Sequence, residues 1–232
     1  MLLGIHGLQP FIVNLHVRRL ALAVSLAVLP GLAAEADLSG MLRAVEKRYN
    51  AARTVQVLFQ QSYTVQGGRT RSESGELFLS KPGRMRWQYQ SPAGKLFISD
   101  GKYVYLYSPD SNRVEKMNIR ESEDMRAPLA FLLGKLNFSK DFRGFVFSPE
   151  GPDTRVTAVP RSDQLPYTKV EFVVTPLHEI RYLQVTGQDN SLMKFTFEGE
   201  KLNPPLSGAL FQFRTPPGAE VVDTAAADRG AH

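Results

Sequence analysis

Gly75-Glu76-Leu77-Phe78-Leu79-Ser80-Lys81-Pro82-Gly83-Arg84-Met85-Arg86-Trp87-Gln88-Tyr89 reads as two antiparallel strands turned at Lys81-Pro82-Gly83. Gly75, Leu77 and Leu79 share one face of the first strand, and Met85, Trp87 and Tyr89 alternate strictly with Arg84, Arg86 and Gln88 in the second. Successive side chains of a strand point to opposite faces, so this period of two sets an apolar face against a core and a polar one against water. Proline and glycine end the pairing ladder and reverse the chain.

The same grammar extends in both directions. Upstream, Val55, Val57 and Phe59 alternate with Gln56, Leu58 and Gln60, Tyr63 and Val65 continue the set, and Gly67-Gly68 supplies a hairpin turn. Downstream, Ser91-Pro92-Ala93-Gly94 turns the chain into a short apolar piece, and Asp100-Gly101 is a strong two-residue hairpin signal. Tyr103, Tyr105 and Tyr107 then oppose Val104 and Leu106, a loop follows at 108–112, and 114–119 is a weaker strand. Strands resume at 144–148, 155–159, 167–175, 179–187 and 192–198, and 210–213 is a last short piece.

Two stretches break the period. From Asp37, the residues Leu38, Met41, Leu42, Val45 and Tyr49 recur at three-to-four spacing with Arg43, Glu46, Lys47 and Arg48 opposite, which predicts an amphipathic helix capped by Asp37 or Ser39. After Pro128, Leu129, Phe131, Leu132, Leu133 and Leu136 make a segment apolar almost all round, interrupted by Gly134. A helix of that kind is either core or a cover over something greasy. A single antiparallel layer must cover its apolar face. The expected fold is therefore mainly β (α+β) and a single domain. It is an incomplete antiparallel β-barrel of roughly 10–11 strands, with helices near 38–50 and 128–136 lying as a lid across its hollow side.

The N-terminus carries an address. Arg18 and Arg19 precede Leu20–Leu29, apolar but for Ser25, then Pro30-Gly31 and the small residues Ala33, Ala34 and Ala36. A basic region, a short apolar run and a small-residue exit are the parts of a cleavable secretory signal. The run is short of the roughly 20 apolar residues that span a bilayer. Residues 1–34 are read as a signal peptide, cleaved after Ala34 or Ala36, and 35–232 as the domain, with a disordered polar tail from about 224. Removing 1–34 lowers Lys+Arg from 28 to 26 against 23 Asp+Glu, a formal charge of +3 rather than +5. That is an ordinary solvated surface and no argument for nucleic acid. With no cysteine, the chain has no disulfide, no thiolate metal site, no thiol nucleophile and no residue to acylate after signal cleavage.

Catalytic constellations are absent from the pattern. The domain retains His178, in a turn, and His232, the last residue; there is no H-E-x-x-H, G-x-S-x-G or P-loop. Glu121, Glu123 and Asp124 read as a solvated loop rather than a calcium site. Arg84 and Arg86 face away from Trp87 and Tyr89, so they do not form a stacking platform for single-stranded nucleic acid. No enzyme activity, no metal and no cofactor are expected, and binding remains.

The stretch from Gly75 to Tyr89, with Ser91-Pro92, Ser99-Asp100-Gly101, Tyr105-Leu106-Tyr107-Ser108-Pro109 and the ending Leu210-Phe211-Gln212-Phe213…Pro217-Gly218-Ala219-Glu220-Val221, resembles the LolA family of outer-membrane lipoprotein carriers. The resemblance covers nearly the whole mature chain and lies in the order and spacing of the pieces. It implies a monomeric periplasmic carrier whose apolar cavity receives the acyl chains of lipoproteins from an inner-membrane lipoprotein-releasing ABC transporter and delivers them to an outer-membrane acceptor. Cavity and lid positions would be Leu42, Val57, Phe59, Leu77, Leu79, Met85, Trp87, Tyr89, Leu129, Phe131 and Leu132. In the family an arginine before the motif proline latches the lid to carbonyls of the central helix. Lys81 holds that position here, with a point charge in place of a planar fork, and Arg84 is the alternative latch. A carrier of another amphiphile such as a glycolipid, and a lipoprotein-sensing regulatory domain, are the competing readings. Such sensors usually bring a further domain or membrane anchor, which this sequence does not show.

Overall fold

β1 (Thr54–Thr64) runs through the middle of one sheet, hydrogen-bonded to β2 (Thr70–Ser80) on one side and β11 (Leu192–Leu202) on the other. The computed structural model describes residues 30–118 and 136–223, with side chains from Leu38 onward. Beyond β2 the first meander continues through β3 (Arg84–Ser91), β4 (Leu96–Asp100), β5 (Tyr103–Ser108) and β6 (Arg113–Asn118). Beyond β11 the second runs outward through β10 (Ile180–Gly187), β9 (Tyr167–Val174), β8 (Asp153–Pro160) and β7 (Phe142–Glu150). β12 (Glu220–Asp223) returns to the far edge and pairs in parallel with β6; all other pairs are antiparallel. Among the described residues the result is an open, curved, mainly β sheet of twelve strands.

The hollow side is set by the alternation. Val55, Val57, Phe59, Leu77, Leu79, Met85 and Trp87 are all buried in one cluster. The register explains why: Val57 lies opposite Leu77, Leu77 opposite Trp87, and Leu79 opposite Met85, so three strands present one apolar row. α1 (Pro30–Ala51) lies against it through Leu42, Val45 and Tyr49, while Arg43 and Lys47 stay exposed. β6 ends at Asn118. Where the description resumes, Leu136 and Phe138 are already buried in that cluster. Phe138 opens the short helix α2 (Phe138–Asp141).

Three details differ from the sequence expectation. α1 begins at Pro30, so Asp37 and Ser39 lie inside the helix rather than at its cap. Proline is tolerated in a first turn and the alanine-rich stretch after it propagates helix readily. The piece at 210–213 is no strand: a 3₁₀ turn, Gly208–Phe211, stands there, and the final strand comes at β12. Among the described residues the sheet has twelve strands, against the 10–11 expected. Of the expected second helix at 128–136, all but Leu136 lies outside the described residues, as do Glu121, Glu123 and Asp124.

Candidate functional site

The concave face brings together every described residue singled out for it. Leu42, Val57, Phe59, Leu77, Leu79, Met85 and Trp87 belong to one buried cluster, and Tyr89 packs against it half-buried. Leu129, Phe131 and Leu132 lie outside the described residues. The other half of the wall escaped the sequence reading. Phe172, Leu183, Phe195 and Phe197 of the second meander join the same cluster, as does Phe138. Their alternation was visible, but which face it supplied depended on the long-range β1–β11 pairing, where Phe59 meets Phe197 and Gln61 meets Phe195.

Aromatic rings make the centre of this face. Phe59 stands edge-on to Trp87 at 4.6 Å and to Tyr89 at 5.3 Å, and Trp87 is tilted against Phe195 at 5.7 Å. Gly75 makes the arrangement possible. It sits between Phe59 and Tyr89 in the register, and with no side chain of its own it lets those two rings meet across it. Its backbone also lies so close to β3 that an added Cβ would fall 2.1 Å from the Gln88 carbonyl oxygen and 2.8 Å from Tyr89 Cα.

Charge is confined to the edges of this face. Lys95 Nζ bridges both carboxylate oxygens of Glu73 at 2.6 and 2.8 Å and lies 4.4 Å over the Tyr89 ring. Burial, helped by the Glu73 charge, pushes the Tyr89 hydroxyl well above the ordinary phenol range. At the far end of α1, Arg48 Nη2 donates to Glu179 at 2.8 Å and to Glu200 at 2.7 Å, and Tyr49 Oη donates to the other Glu200 oxygen at 2.7 Å while accepting from Ile180 N. This network ties the helix to β10 and β11. Burial, reinforced by Glu200, raises the Tyr49 pKa well above its usual value.

Lys81 reaches the end of the same helix. Its Nζ donates to the Tyr49 carbonyl oxygen at 2.5 Å and to the Asn50 carbonyl oxygen at 3.2 Å. The last carbonyls of a helix have no partner within it and carry the negative end of its dipole, so an ammonium group suits them. Burial lowers the Lys81 pKa. Arg84 turns the other way, donating to Ser80 Oγ at 2.9 Å with its guanidinium 5.5 Å over Phe211. Next to Lys81's acceptors, the Asn50 side chain both donates to the Leu136 carbonyl (2.8 Å) and accepts from the Leu136 N–H (3.0 Å), and Glu46 accepts from Phe138 N at 2.6 Å. Glu46 and Asn50 are one helical turn apart, so one edge of α1 holds the re-entering chain as a strand partner would. Periodicity put Glu46 on the polar side of the helix, but no sequence pattern marked either residue for this contact.

The convex side is not uniformly polar either. Phe78, Ile98 and Phe211 are buried there, outside the main cluster. The 3₁₀ turn lies over β3 and β4, Arg86 donates to the Leu210 carbonyl, and Phe213 stacks on Tyr105 at 4.8 Å. The C-terminal segment is thus a strap over the back of the first meander. A separate groove of about 460 Å³ lies between α1 and β7–β9, lined in part by Leu38, Met41, Phe147, Val174 and His178. Among the described residues there is no cluster of three or more candidate metal ligands, and no helix long and apolar enough to cross a membrane.

Comparison with known proteins finds relatives of one family. A model of the family described as "Outer membrane lipoprotein carrier protein LolA" matches residues 50–214. A protein named outer-membrane lipoprotein carrier protein from Azotobacter vinelandii is 29% identical over 215 residues, 86% of this chain and 94% of its own. Those of Pseudomonas aeruginosa and Pseudomonas paraeruginosa are 28% identical over 221 residues, covering 90% of this chain and 97% of theirs. Among solved structures, a LolA superfamily protein from Nitrosomonas europaea overlaps 75% of this chain and 97% of its own, at 9% identity and a TM-score of 0.42. MucB overlaps 81% of this chain and 66% of its own, at 16% identity and a TM-score of 0.48.

Proposed function

Because the chain belongs to the LolA family of outer membrane lipoprotein carrier proteins, we propose that it carries lipoproteins across the periplasm with their acyl chains laid on the concave face of the sheet. The observation that supports this most directly is the single buried apolar cluster shared by α1 and both meanders, with its ion pairs kept to the edges. Residues 1–34 are assigned to export. An inner-membrane lipoprotein-releasing ABC transporter would load the carrier and an outer-membrane acceptor would unload it. Leu42, Val57, Phe59, Leu77, Leu79, Met85, Trp87 and Tyr89 are assigned to the lining and, from the sequence, Leu129, Phe131 and Leu132 to its cover. Lys81 is assigned to the latch, holding the end of α1 beside the point where the chain re-enters the core.

Magnitudes constrain how tightly such a carrier can hold. Burying a chain of about 14 methylenes yields on the order of 10 kcal/mol at about 0.8 kcal/mol each. Complete enclosure of several chains would leave no route to release. Partial cover, with some of the gain offset by displacing the protein's own apolar contacts, keeps transfer reversible. Catalysis has no part in this scheme.

The test is capture of a lipoprotein released from spheroplasts, compared with the same protein whose acylated cysteine is replaced by serine. Capture of the acylated form alone is expected. Equal capture of both would refute acyl recognition.

A further inference from the structure

Trp87 is the one tryptophan in the chain. It is 3% exposed, and among the described residues its indole Nε1 has no hydrogen-bond partner. Its surroundings are Phe59, Phe195 and, by register, Leu77 on β2 and Phe97 on β4, none of which offers a side-chain acceptor. A buried N–H left unpaired is destabilising, and buried polar groups in folded proteins are nearly always satisfied. Nearby polar side chains are paired: Lys95 with Glu73, Tyr49 with Glu200, and Ser99 Oγ with the Gly83 carbonyl at 2.8 Å. A phenylalanine would contribute the same kind of apolar ring without the stranded donor.

We propose that Trp87 Nε1 is a recognition group for the bound lipid, donating a hydrogen bond to the carbonyl oxygen of an acyl linkage. This rests on the reading that acyl chains occupy the concave face. The ligand class follows from the site. A charged phosphate or carboxylate is far too costly to bring into a wall of this composition, whereas a neutral ester or amide carbonyl enters with the chain it terminates and needs one donor. One N–H in a fixed aromatic frame therefore sets the depth at which the linkage stops. It also separates acyl chains from alkyl chains of equal length, which present no carbonyl.

The experiment compares monopalmitoylglycerol with 1-O-hexadecylglycerol, neutral ligands of equal chain length differing in the ester carbonyl. Their binding to the purified protein and to Trp87→Phe is measured by calorimetry, and the single indole N–H resonance of the unsubstituted protein is followed by NMR. Expected is a preference of about tenfold for the ester, equivalent to about 1.4 kcal/mol, lost in Trp87→Phe while ether binding persists. The indole proton should move downfield with the ester and less with the ether. Equal binding of ester and ether by the unsubstituted protein, or a preference that survives Trp87→Phe, overturns the assignment. If the variant does not fold, an indole proton that responds alike to both ligands does so. Binding of neither ligand instead overturns the acyl-chain reading on which the assignment rests.

Discussion

Replacing Lys81 by methionine keeps an unbranched stem of similar length and removes only the ammonium group. Two hydrogen bonds are lost, and they are unequal. The one to the Tyr49 carbonyl is short, 2.5 Å, and part-buried; the one to Asn50 is 3.2 Å and exposed, where water can replace it. Most of the cost therefore lies at Tyr49. A hydrogen bond from a charged donor contributes about 1.5–3 kcal/mol, and the end of a helix dipole adds about 0.3–1 at surface positions. Partial exposure argues for the lower part of that range, so we expect a loss of about 2 kcal/mol. At about 2–4 °C per kcal/mol for a domain of this size, Tm should fall by about 4–8 °C. Lys81→Arg keeps donors at the site and should recover most of it. The assays are calorimetric melting and amide exchange of the last turn of α1. The latch assignment adds a functional consequence: lipoprotein uptake or delivery should change in Lys81→Met. A Tm shift smaller than about 1 °C, with unchanged exchange in that turn and unchanged transfer, would refute the reasoning.

Gly75→Ala tests the close approach of β2 and β3. Alanine ordinarily gains about 0.5–1 kcal/mol over glycine in a strand, but here backbone atoms occupy the space of the new Cβ, so a loss of about 3 kcal/mol is expected in denaturant unfolding. Any gain in stability would contradict the register described. Arg48→Met leaves Glu200, whose side chain is 9% exposed, without its cation. The cost should be about 2–3 kcal/mol, at or below the buried-pair range because Arg48 itself is partly solvated, and a melting curve that does not move would discount the network. The phenols of Tyr49, Tyr89 and Tyr167 are held above their ordinary value by burial, Tyr167 up to about 12. Their contribution is full below about pH 10 and is lost as pH rises through the folded values. Lys81, lowered by burial, works in the opposite sense over the alkaline range, but one ammonium opposes three phenols. Net stability should fall above about pH 10, less steeply in Tyr167→Phe; a denaturation midpoint that holds steady or rises there would oppose the assignment. Finally, amide exchange across 128–136 should change when lipoprotein is bound, and identical protection in free and loaded protein would remove Leu129, Phe131 and Leu132 from the covering role.

Local rules made most of the sheet legible. Strict alternation in 84–90 and 54–64 placed β3 and β1, and Asp100-Gly101 placed the β4–β5 turn, where the Asp100 carboxylate accepts from the Lys102 and Tyr103 N–H groups. The start of α1 and the strand at 220–223 were misread for related reasons. Neither depends on a local period: one follows from helix propagation out of a turn proline, the other from an edge that only β6 offers. The site was half legible. Residues of the first meander were named because their apolar face was continuous in sequence. Phe195 was left out because its facing depends on a pairing made more than a hundred residues away, and Phe172 because its strand reaches that face only through β10 and β11.

What the sequence determined by itself is the periodicity: which side chains share a face, where turns must fall, and that α1 has one apolar stripe. These are short-range consequences of strand and helix geometry. What only the tertiary structure decided is the meeting of groups far apart in the chain. Lys81 meets the carbonyls that end α1, Asn50 and Glu46 meet Leu136 and Phe138, and Arg48 meets Glu179 and Glu200, which lie 131 and 152 residues on. Polar side chains leave no periodic trace of their partners. Where a donor goes, or, as at Trp87 Nε1, that it finds no partner among the described residues, is settled only when the sheet curves around it.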